Sequence, residues 1–324
     1  MTKYVDRPIP QISLADFDKR KDEITRQLCE AAENVGFFAI IDHGISREEL
    51  DAAFSLSKSF FELPQNVKQT VALTPLNAGY ECRSQVRPST GVPDEKESYQ
   101  LQFGENMGDR WISDEHLPGF KQSSLAFMHR LQAVSEKLMI CVARGLGFPD
   151  GYFVEAHDVS RPNCQTVMRL LHYFEVPKET AGKVYHRGGV HADWDFITLL
   201  LQRQGQPGLE ICPGREVVTE WAKGHAWTKV ACDPDSIVCN IGDLLMSWSD
   251  DRFKSTLHRV KSPEDEGDNY EERYSIAFFN QPCTDALIQG PQKKYPMVTG
   301  QEFTANAIAR NYKALQEATN GAKA

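Results

Sequence analysis

A series of short, mostly apolar β-type runs separated by turn residues fills the second half of this 324-residue chain. Evenly spaced short strands of this kind are typical of a β-barrel or a double-sheet jelly roll. The predicted strands cover residues 167–174, 198–202, 209–212, 228–231, 236–240, 256–260 and 274–280. A chain of this length can bury one large core, since β-barrel domains often exceed the usual domain size.

The first 150 residues follow a different pattern, in which helices alternate with one buried strand. A helical apolar period from residue 24 to 35 is predicted to end at Gly36, and a buried strand follows at 37–41. Further helices are predicted at 46–61, from 125 to Gly145 or Gly147, and at 299–318. Residues 74–100 show no period and predict an irregular loop with strand ends. We therefore predict an N-terminal mixed region, 1–150, and a β-rich core with a C-terminal helix, 151–324, forming one integrated unit.

Three side chains suited to a metal stand in a fixed order in the β-rich half. His191 and Asp193 are two positions apart, and His258 follows in a later β-type run. Alternate strand residues point to one face, so we place His191 and Asp193 at the mouth of the run 197–201, facing the same way. Two imidazoles and one carboxylate can hold Fe(II) and leave coordination positions open. A core histidine bonded to a backbone carbonyl is the simpler interpretation of His258 alone, and only the ordered set indicates a metal site.

An arginine and a hydroxyl group follow the second histidine at strand spacing. Arg273 and Ser275 share one face of a run that continues into the apolar residues 276–279. A buried arginine requires an anion, and its planar fork can bind a carboxylate through two hydrogen bonds. The alternative is a surface ion pair with Glu271 or Glu272. The pair Arg273 and Ser275 is therefore a candidate clamp for a carboxylate co-substrate.

Several longer blocks resemble one known family over almost the whole chain. They are Gly36-Phe-Phe-Ala-Ile-Ile-Asp-His-Gly-Ile45, Phe60-Phe-Glu-Leu-Pro64, Gly79-Tyr80, Met168-Arg-Leu-Leu-His-Tyr173, Gly242-Asp-Leu-Leu245 and Arg273-Tyr-Ser-Ile-Ala-Phe-Phe279. The chain resembles the iron(II)/2-oxoglutarate-dependent dioxygenases, in the branch of isopenicillin N synthase and flavonol synthase, and most of all fungal thymine hydroxylase-like enzymes. The resemblance implies an α+β fold with a mostly β core, a double-stranded β-helix (jelly roll) wrapped by helices.

The resemblance also implies roles for individual residues. The iron ligands are expected to be His191, Asp193 and His258. Arg273 and Ser275 are expected to hold the distal carboxylate of 2-oxoglutarate, and Tyr173 matches a tyrosine that assists them. The cofactors implied are Fe(II), 2-oxoglutarate as co-substrate, and O2.

The implied reaction is oxidation of a C–H bond in a small aromatic or heterocyclic metabolite, with release of succinate and CO2, in secondary-metabolite biosynthesis. Hydroxylation, desaturation and ring rearrangement all remain open. Two alternatives also remain: an iron oxidase of the same fold that uses no 2-oxoglutarate, and a non-catalytic β-barrel binding protein.

The chain departs from the family pattern at three places. Leu171 stands where the plant enzymes often place an asparagine, so one polar contact to the co-substrate is missing or replaced. The spacings from His191 to His258 and from His258 to Arg273 are longer than expected, with the surplus assigned to loops at 214–225 and 263–272. These departures concern the substrate rather than the iron site.

Candidate substrate residues come from the predicted faces of the strands. Arg169 is predicted to share the pocket face with Tyr173, where it would orient an oxygen-rich or anionic substrate, or else form an ion pair at the barrel mouth. Phe279 and Trp194 are large enough to flank a planar substrate, although buried aromatic residues more often belong to the core.

The irregular loop 74–100 supplies a second group of candidates. Tyr80, Arg83 and Arg87 are predicted to close over an anionic or phenolic ligand. Long loops without a period are often functional lids. Exposed loop arginines are also common without any ligand.

Composition restricts the partners. The formal charge of −9 and the absence of a basic stripe argue against nucleic acid. No apolar run reaches membrane-spanning length, and the N-terminal residues lack the apolar core of a signal peptide. The 8 cysteines include no Cys-x-x-Cys pair, which predicts reduced thiols in a cytoplasmic protein. The sequence thus indicates a small-molecule substrate and implies no membrane or protein partner.

Overall fold

A computed structural model describes residues 3–86, 93–180, 187–212, 226–264 and 268–321. The strands are β1 Lys3–Tyr4, β2 Gln11–Ser13, β3 Phe37–Ile41, β4 Gly79–Cys82, β5 Lys96–Gln102, β6 Val167–Tyr173, β7 Gly188–His191, β8 Ile197–Gln202, β9 Leu209–Cys212, β10 Ala226–Lys229, β11 Ile237–Ile241, β12 Leu257–Val260, β13 Arg273–Phe279, β14 Leu287–Ile288 and β15 Val298–Thr299. The α-helices are α1 Phe17–Asn34, α2 Arg47–Phe61, α3 Gln65–Lys68, α4 Phe120–Leu146, α5 Tyr152–Ala156, α6 Asp243–Trp248 and α7 Gly300–Gly321. Three short 3-10 turns cover Gln69–Val71, Glu105–Met107 and Lys178–Thr180.

The larger sheet has its strands in the order β2-β3-β11-β8-β13-β6-β5-β4. Within it, β13 lies between β6 and β8 and is antiparallel to both. Its residues Tyr274, Ile276 and Phe278 belong to the main hydrophobic core, which also contains residues of α1, α2 and α4. The alternate residues of β13, from Arg273 to Phe279, therefore face the opposite side of the sheet.

The smaller sheet has the order β1-β10-β9-β12-β7. In it, His258 of β12 stands directly opposite His191 of β7. Residues of both sheets line one cavity, so the two sheets face each other across it. This pairing brings the two histidines together at the inner side of the smaller sheet.

Helices α1, α2 and α4 cover the face of the larger sheet that is turned away from the cavity. Helix α2 begins with a capping box, in which Ser46 and Glu49 each bond the other's backbone amide. Helix α4 ends at Gly147 in the left-handed conformation. At Gly36 the φ angle is +73°, and a Cβ atom there would collide with the backbone oxygen of Lys254. Glycine is therefore required where α1 turns into β3 beside the segment that leads to His258.

Residues 74–100, predicted as an irregular loop with strand ends, contain β4 and the greater part of β5. β4 and β5 pair as antiparallel strands, and every residue of β5 is buried. The length and burial of β5 were not predicted because the strand is polar, with the sequence Lys-Glu-Ser-Tyr-Gln-Leu-Gln. Two of its polar side chains, Ser98 and Gln100, bond Glu81 of β4, which lets a polar strand lie inside the protein.

Strands of the first 150 residues extend the same sheet as the β-rich core. β3 pairs with β11, and β5 pairs with β6. The division at residue 150 stays a prediction, and these pairings favour one integrated unit. The predicted loop at 214–225 lies outside the described residues. Among the helices that the structure describes, none combines the length and the apolar character needed to cross a bilayer.

Candidate active site

His191, Asp193 and His258 come together at one end of the cavity. The Nε2 atoms of His191 and His258 lie 3.7 Å and 3.6 Å from Oδ1 of Asp193. The three ligand atoms all lie within 4.8 Å of one another, which suits a single ion. In the described part of the chain these residues form the one such group of three or more metal-binding side chains.

The backbone around the first two residues differs from the prediction. His191 is the last residue of β7 in the smaller sheet, and Asp193 lies in the connection to β8. The two side chains do approach each other, but the alternation of residues along one strand is not the reason. They meet because the connection crosses from one sheet to the other.

Backbone carbonyls fix the orientation of both imidazoles. Nδ1 of His191 is 2.7 Å from the carbonyl oxygen of Gly189, and Nδ1 of His258 is 3.2 Å from that of Thr256. A ring that donates its Nδ1 proton to a carbonyl keeps Nε2 unprotonated for a metal. Both histidines are therefore arranged to present Nε2 beside Asp193.

Asp193 is held by two side chains that the sequence analysis did not identify. Its Oδ2 accepts hydrogen bonds from Thr198 Oγ1 at 2.7 Å and from Asn240 Nδ2 at 2.9 Å, which leaves Oδ1 toward the histidines. Burial acts to raise the pKa of Asp193, but the electrostatic interactions with His258 and His191 and these two hydrogen bonds outweigh it and lower the pKa to about 2. The carboxylate is thus ionised and oriented. Asn240 stands two residues before the family block that begins at Gly242. That block was the available signal for Asn240, but the sequence analysis did not use it.

We expect Asn240→Ala to weaken iron(II) binding about tenfold, because residues that orient a metal ligand typically contribute at least that much. Titration of the metal-free protein with Fe(II) under anaerobic conditions measures the effect. Ser249→Ala is the control, since Ser249 is also buried and polar but its hydroxyl bonds Met246 and Phe253 instead. Equal affinities for iron in the wild type and in Asn240→Ala would mean that Asn240 does not orient Asp193.

Arg273 and Ser275 lie side by side on β13, as predicted. Arg273 is 1% exposed, and its Nη1 donates to Ser275 Oγ at 3.2 Å. Its Nε donates to the Gln206 carbonyl at 3.1 Å, and its guanidinium carbon lies 5.0 Å from the centre of the Tyr173 ring. Burial lowers the pKa of Arg273.

One atom of this guanidinium lacks a partner. Nη2 of Arg273 is buried and makes no hydrogen bond to any described residue. A buried arginine carries a charge that an anion must balance, and a carboxylate would satisfy the orphaned Nη2. The residues present therefore fit 2-oxoglutarate, with Ser275 and Tyr173 beside the same group.

The cavity has a volume of about 310 Å³ and reaches from the metal-binding residues to β6 and β13. Arg169, Trp194 and Phe279 line it, as do Tyr173 and Leu171. The guanidinium carbon of Arg169 lies 5.0 Å from the centre of the Phe279 ring. The structure thus brings the three substrate residues predicted on the strand faces, Arg169, Trp194 and Phe279, to one cavity beside the metal-binding residues.

Tyr80, predicted to close over the ligand, does not line the cavity. It is 1% exposed on β4, packs against Phe60, and donates its hydroxyl proton to Glu97 at 2.5 Å. Burial and the Glu97 carboxylate raise the pKa of Tyr80. The position in a β-strand rather than a loop accounts for the difference.

Of the two loop arginines, the structure describes Arg83, which does not line the cavity. Arg83 bonds Glu95 at 2.7 Å and lies over the Phe174 ring, away from the cavity. Arg87 lies outside the described residues.

Further cavity residues were missed by the sequence analysis. They are Asn77, Lys96, Asp243 and Arg310. Asn77 adopts a left-handed conformation with a φ of +58°, and Gln102 bonds its carbonyl at 2.9 Å. Asn77 follows Pro75 by two residues, and this pair of turn-forming residues was the available sequence signal for Asn77. Arg310 comes from α7, so the C-terminal helix contributes to the cavity wall.

The whole chain is similar to proteins of one enzyme family. Residues 9–120 match the model of the non-haem dioxygenase in morphine synthesis N-terminal region, and residues 164–282 match the 2OG-Fe(II) oxygenase superfamily. The chain belongs to the iron(II)/2-oxoglutarate-dependent dioxygenase family. It is therefore an oxidoreductase with a jelly-roll fold that uses iron and 2-oxoglutarate, which confirms the family, fold class and cofactors predicted from the sequence.

Individual relatives are fungal enzymes and a fungal structure. Proline hydroxylase buaE of Petromyces alliaceus is 30% identical over 83% of this chain and 85% of its own length. The 2-oxoglutarate-dependent dioxygenase frbA of Dothideomycetidae sp. is 28% identical over 94% of this chain and 97% of its own. The full-length Neurospora crassa thymine hydroxylase in complex with alpha-KG has a TM-score of 0.80 and 28% identity, covering 96% of this chain and 99% of that chain.

Proposed function

We propose that this protein oxidises a C–H bond of a small, planar, uncharged and oxygen-rich metabolite, aromatic or heterocyclic, in secondary metabolism. Turnover would consume 2-oxoglutarate and O2 and release succinate and CO2. The observation that carries the proposal is that Arg169, Phe279 and Trp194 line the same cavity as the three metal-binding residues.

Aromatic side chains support the planar shape. Phe279 and Trp194 both contribute to the cavity wall, and such rings contact flat ligands through their faces. The volume of about 310 Å³ is at the lower end of the usual range for ligand sites. A cavity of this size must also hold part of the co-substrate, which favours a small substrate.

The charges on the cavity wall favour an uncharged substrate. Lys96 is paired with Asp94 at 2.8 Å. Burial raises the pKa of Glu81, but the charge of Arg169 and hydrogen bonds to Glu81 outweigh it and lower that pKa, so Arg169 acts on a buried carboxylate. Burial raises the pKa of Asp243, and the charge of Arg310 opposes that increase only in part, so Arg310 also acts on a buried carboxyl group. These three cations each face an acidic group, whereas Arg273 does not in the described part of the chain.

The residues of this chain divide the work of catalysis. When bound, iron(II) and 2-oxoglutarate supply the oxidising power that breaks the C–H bond. His191, Asp193 and His258 hold the metal, and Arg273 with Ser275 binds the distal carboxylate of the co-substrate. Arg169 donates hydrogen bonds to substrate oxygen atoms, while Phe279 and Trp194 orient the ring and exclude water.

Related structures are consistent with this class of substrate. The Neurospora crassa thymine hydroxylase has been crystallised with alpha-KG and thymine and with alpha-KG and 5-formyluracil, both small planar molecules. We extend only the chemical class of the substrate to this chain.

A cytoplasmic location, with no nucleic-acid, membrane or protein partner, also belongs to the proposal. It is supported by the net charge of −9 and by eight free cysteines.

A panel of candidate substrates tests the proposal. The protein is incubated with Fe(II), 2-oxoglutarate and matched neutral, anionic and cationic aromatic or heterocyclic compounds, and succinate and oxidised product are measured together. We expect coupled turnover with a neutral planar compound. Turnover confined to anionic compounds would overturn the proposal that the substrate is uncharged. Oxidised product without succinate would favour the alternative, an iron oxidase of the same fold that uses no 2-oxoglutarate.

We expect Arg169→Ala to lower coupled turnover of that substrate at least about 100-fold, because Arg169 orients it by hydrogen bonds. The slow conversion of 2-oxoglutarate to succinate without substrate should persist, since it depends on Arg273 and the metal. Arg83→Ala is the matched control, because Arg83 lies outside the cavity. If both reactions fall together in folded Arg169→Ala, the residue is a structural partner of Glu81.

A further inference from the structure

A buried ion pair lies at the start of β5, between the cavity and the smaller sheet. Nζ of Lys96 is 2.8 Å from Oδ2 of Asp94, and the side chains are 6% and 0% exposed. Lys96 lines the cavity, and its backbone stands opposite Tyr173 of β6. The pair is therefore close to the reaction site although neither residue is a metal ligand.

The second oxygen of Asp94 connects this pair to the other sheet. Oδ1 of Asp94 accepts a hydrogen bond from the backbone amide of Gly189 at 3.1 Å. Gly189 lies in β7, the last strand of the smaller sheet in the described part of the chain. Its carbonyl oxygen is the one that binds Nδ1 of His191 at 2.7 Å. A continuous path of hydrogen bonds thus leads from Lys96 through Asp94 and Gly189 to His191.

We propose that Asp94, held in place by the Lys96 ammonium, is a positioning residue for the iron ligand His191. The inference rests on the iron site of the proposed function but not on the identity of the substrate. With both oxygens bound, the Asp94 carboxylate cannot rotate, and it fixes Gly189 at the edge of β7. The Gly189 carbonyl then sets the direction in which His191 presents Nε2.

A contribution to stability alone does not account for this arrangement. A buried ion pair gives little net stability, because the loss of hydration offsets the attraction. Its strong effect is on geometry, since hydrogen bonds to a charged group are short and directional. Thr198 and Asn240 orient Asp193 in the same site, so Asp94 supplies the corresponding support on the His191 side.

The variant Asp94→Asn tests the proposal because an amide has one acceptor oxygen where the carboxylate has two. The single amide oxygen would turn toward the Lys96 ammonium, and the Gly189 amide would lose its acceptor. We expect the affinity for Co(II), measured by its visible absorption in metal-free protein without 2-oxoglutarate or substrate, to fall about tenfold.

A double variant distinguishes positioning from general damage. In Asp94→Asn/Lys96→Met the cation is absent, so the amide oxygen is again available to Gly189. We expect the affinity for Co(II) to recover to within about threefold of the wild type. In Asp94→Ala/Lys96→Met no acceptor remains, and the affinity should stay about tenfold low.

The matched control is Glu97→Gln, the same acid-to-amide change on the same strand. Glu97 is also buried and bonds Lys68 at 2.6 Å, but it does not line the cavity. The affinity of the Glu97→Gln variant for Co(II) should equal that of the wild type. An equal loss in Glu97→Gln, or no difference between the two double variants, would overturn the proposal. If Asp94→Asn does not fold, the double variants carry the test, because neither leaves a buried charge unpaired.

Failure of this inference and failure of the proposed function are distinguishable. Co(II) binding is measured without substrate, so a wrong substrate class does not affect it. Loss of Co(II) binding in His191→Ala together with normal binding in Asp94→Asn would keep the metal site and remove only the role of Asp94.

Discussion

Replacement of His191, Asp193 or His258 by alanine is expected to abolish turnover, with a loss of at least about 1,000-fold, while the protein remains folded. Each change removes one of the three atoms that hold the metal. The fold should persist because it is built from two large sheets and a large apolar core, unlike a zinc finger that folds only around its ion. Succinate release measures activity, and circular dichroism with thermal unfolding measures the fold.

The expected result requires a control for the loss of a buried histidine side chain as such. His157→Ala serves for the histidines, since His157 is also buried but bonds Phe153 and packs against Phe196, outside the cavity. That variant should lose stability and keep its dependence on Fe(II). Full activity in any one of the three metal-site variants would contradict the assignment of the iron ligands.

The second large effect is expected at the carboxylate clamp. Arg273→Lys keeps a positive charge but loses the planar fork that binds a carboxylate through two hydrogen bonds. We expect the apparent affinity for 2-oxoglutarate to fall at least about tenfold, equivalent to about 1.4 kcal/mol. Succinate release as a function of 2-oxoglutarate concentration gives this value directly.

Arg187→Lys is the matched control, because Arg187 is equally buried at 1% exposure but does not line the cavity. It bonds backbone carbonyls of Phe174 and Glu271, so its loss should reduce the free energy of unfolding without changing the affinity for 2-oxoglutarate. An unchanged 2-oxoglutarate dependence in Arg273→Lys, with affinity for the organic substrate lost instead, would point to the oxidase that binds its substrate through Arg273.

The parts of the site that depend on short sequence patterns were predictable. His191 with Asp193, and Arg273 with Ser275, are local pairs whose residue types already define their chemistry. Most strands of the β-rich half were also predicted to within about two residues, because apolar runs bounded by turn residues mark them. β13 is the clearest example, since its alternate residues divide between the core and the cavity.

The parts that depend on contacts between distant residues were not predictable. β5 is polar in sequence, and its burial depends on Glu81 and other partners that only the folded chain brings near. Tyr80 looked like a loop residue because its partner Glu97 is not recognisable without the pairing of β4 with β5. The roles of Asn240 and Asp94 likewise arise from contacts between segments far apart in the chain.

The pairing of β3 with β11 gives the N-terminal half a part in the chemistry. β11 lies between β3 and β8, and it carries Asn240, which holds Asp193. Removal of the first 150 residues would turn β11 into an exposed edge, whose unpaired backbone groups could slip in register or pair with another chain. We therefore expect that the β-rich half, when it is excised, does not function as an enzyme by itself. Evolution and protein engineering alike must change substrate preference through side chains and loops while keeping both halves of the shared sheet.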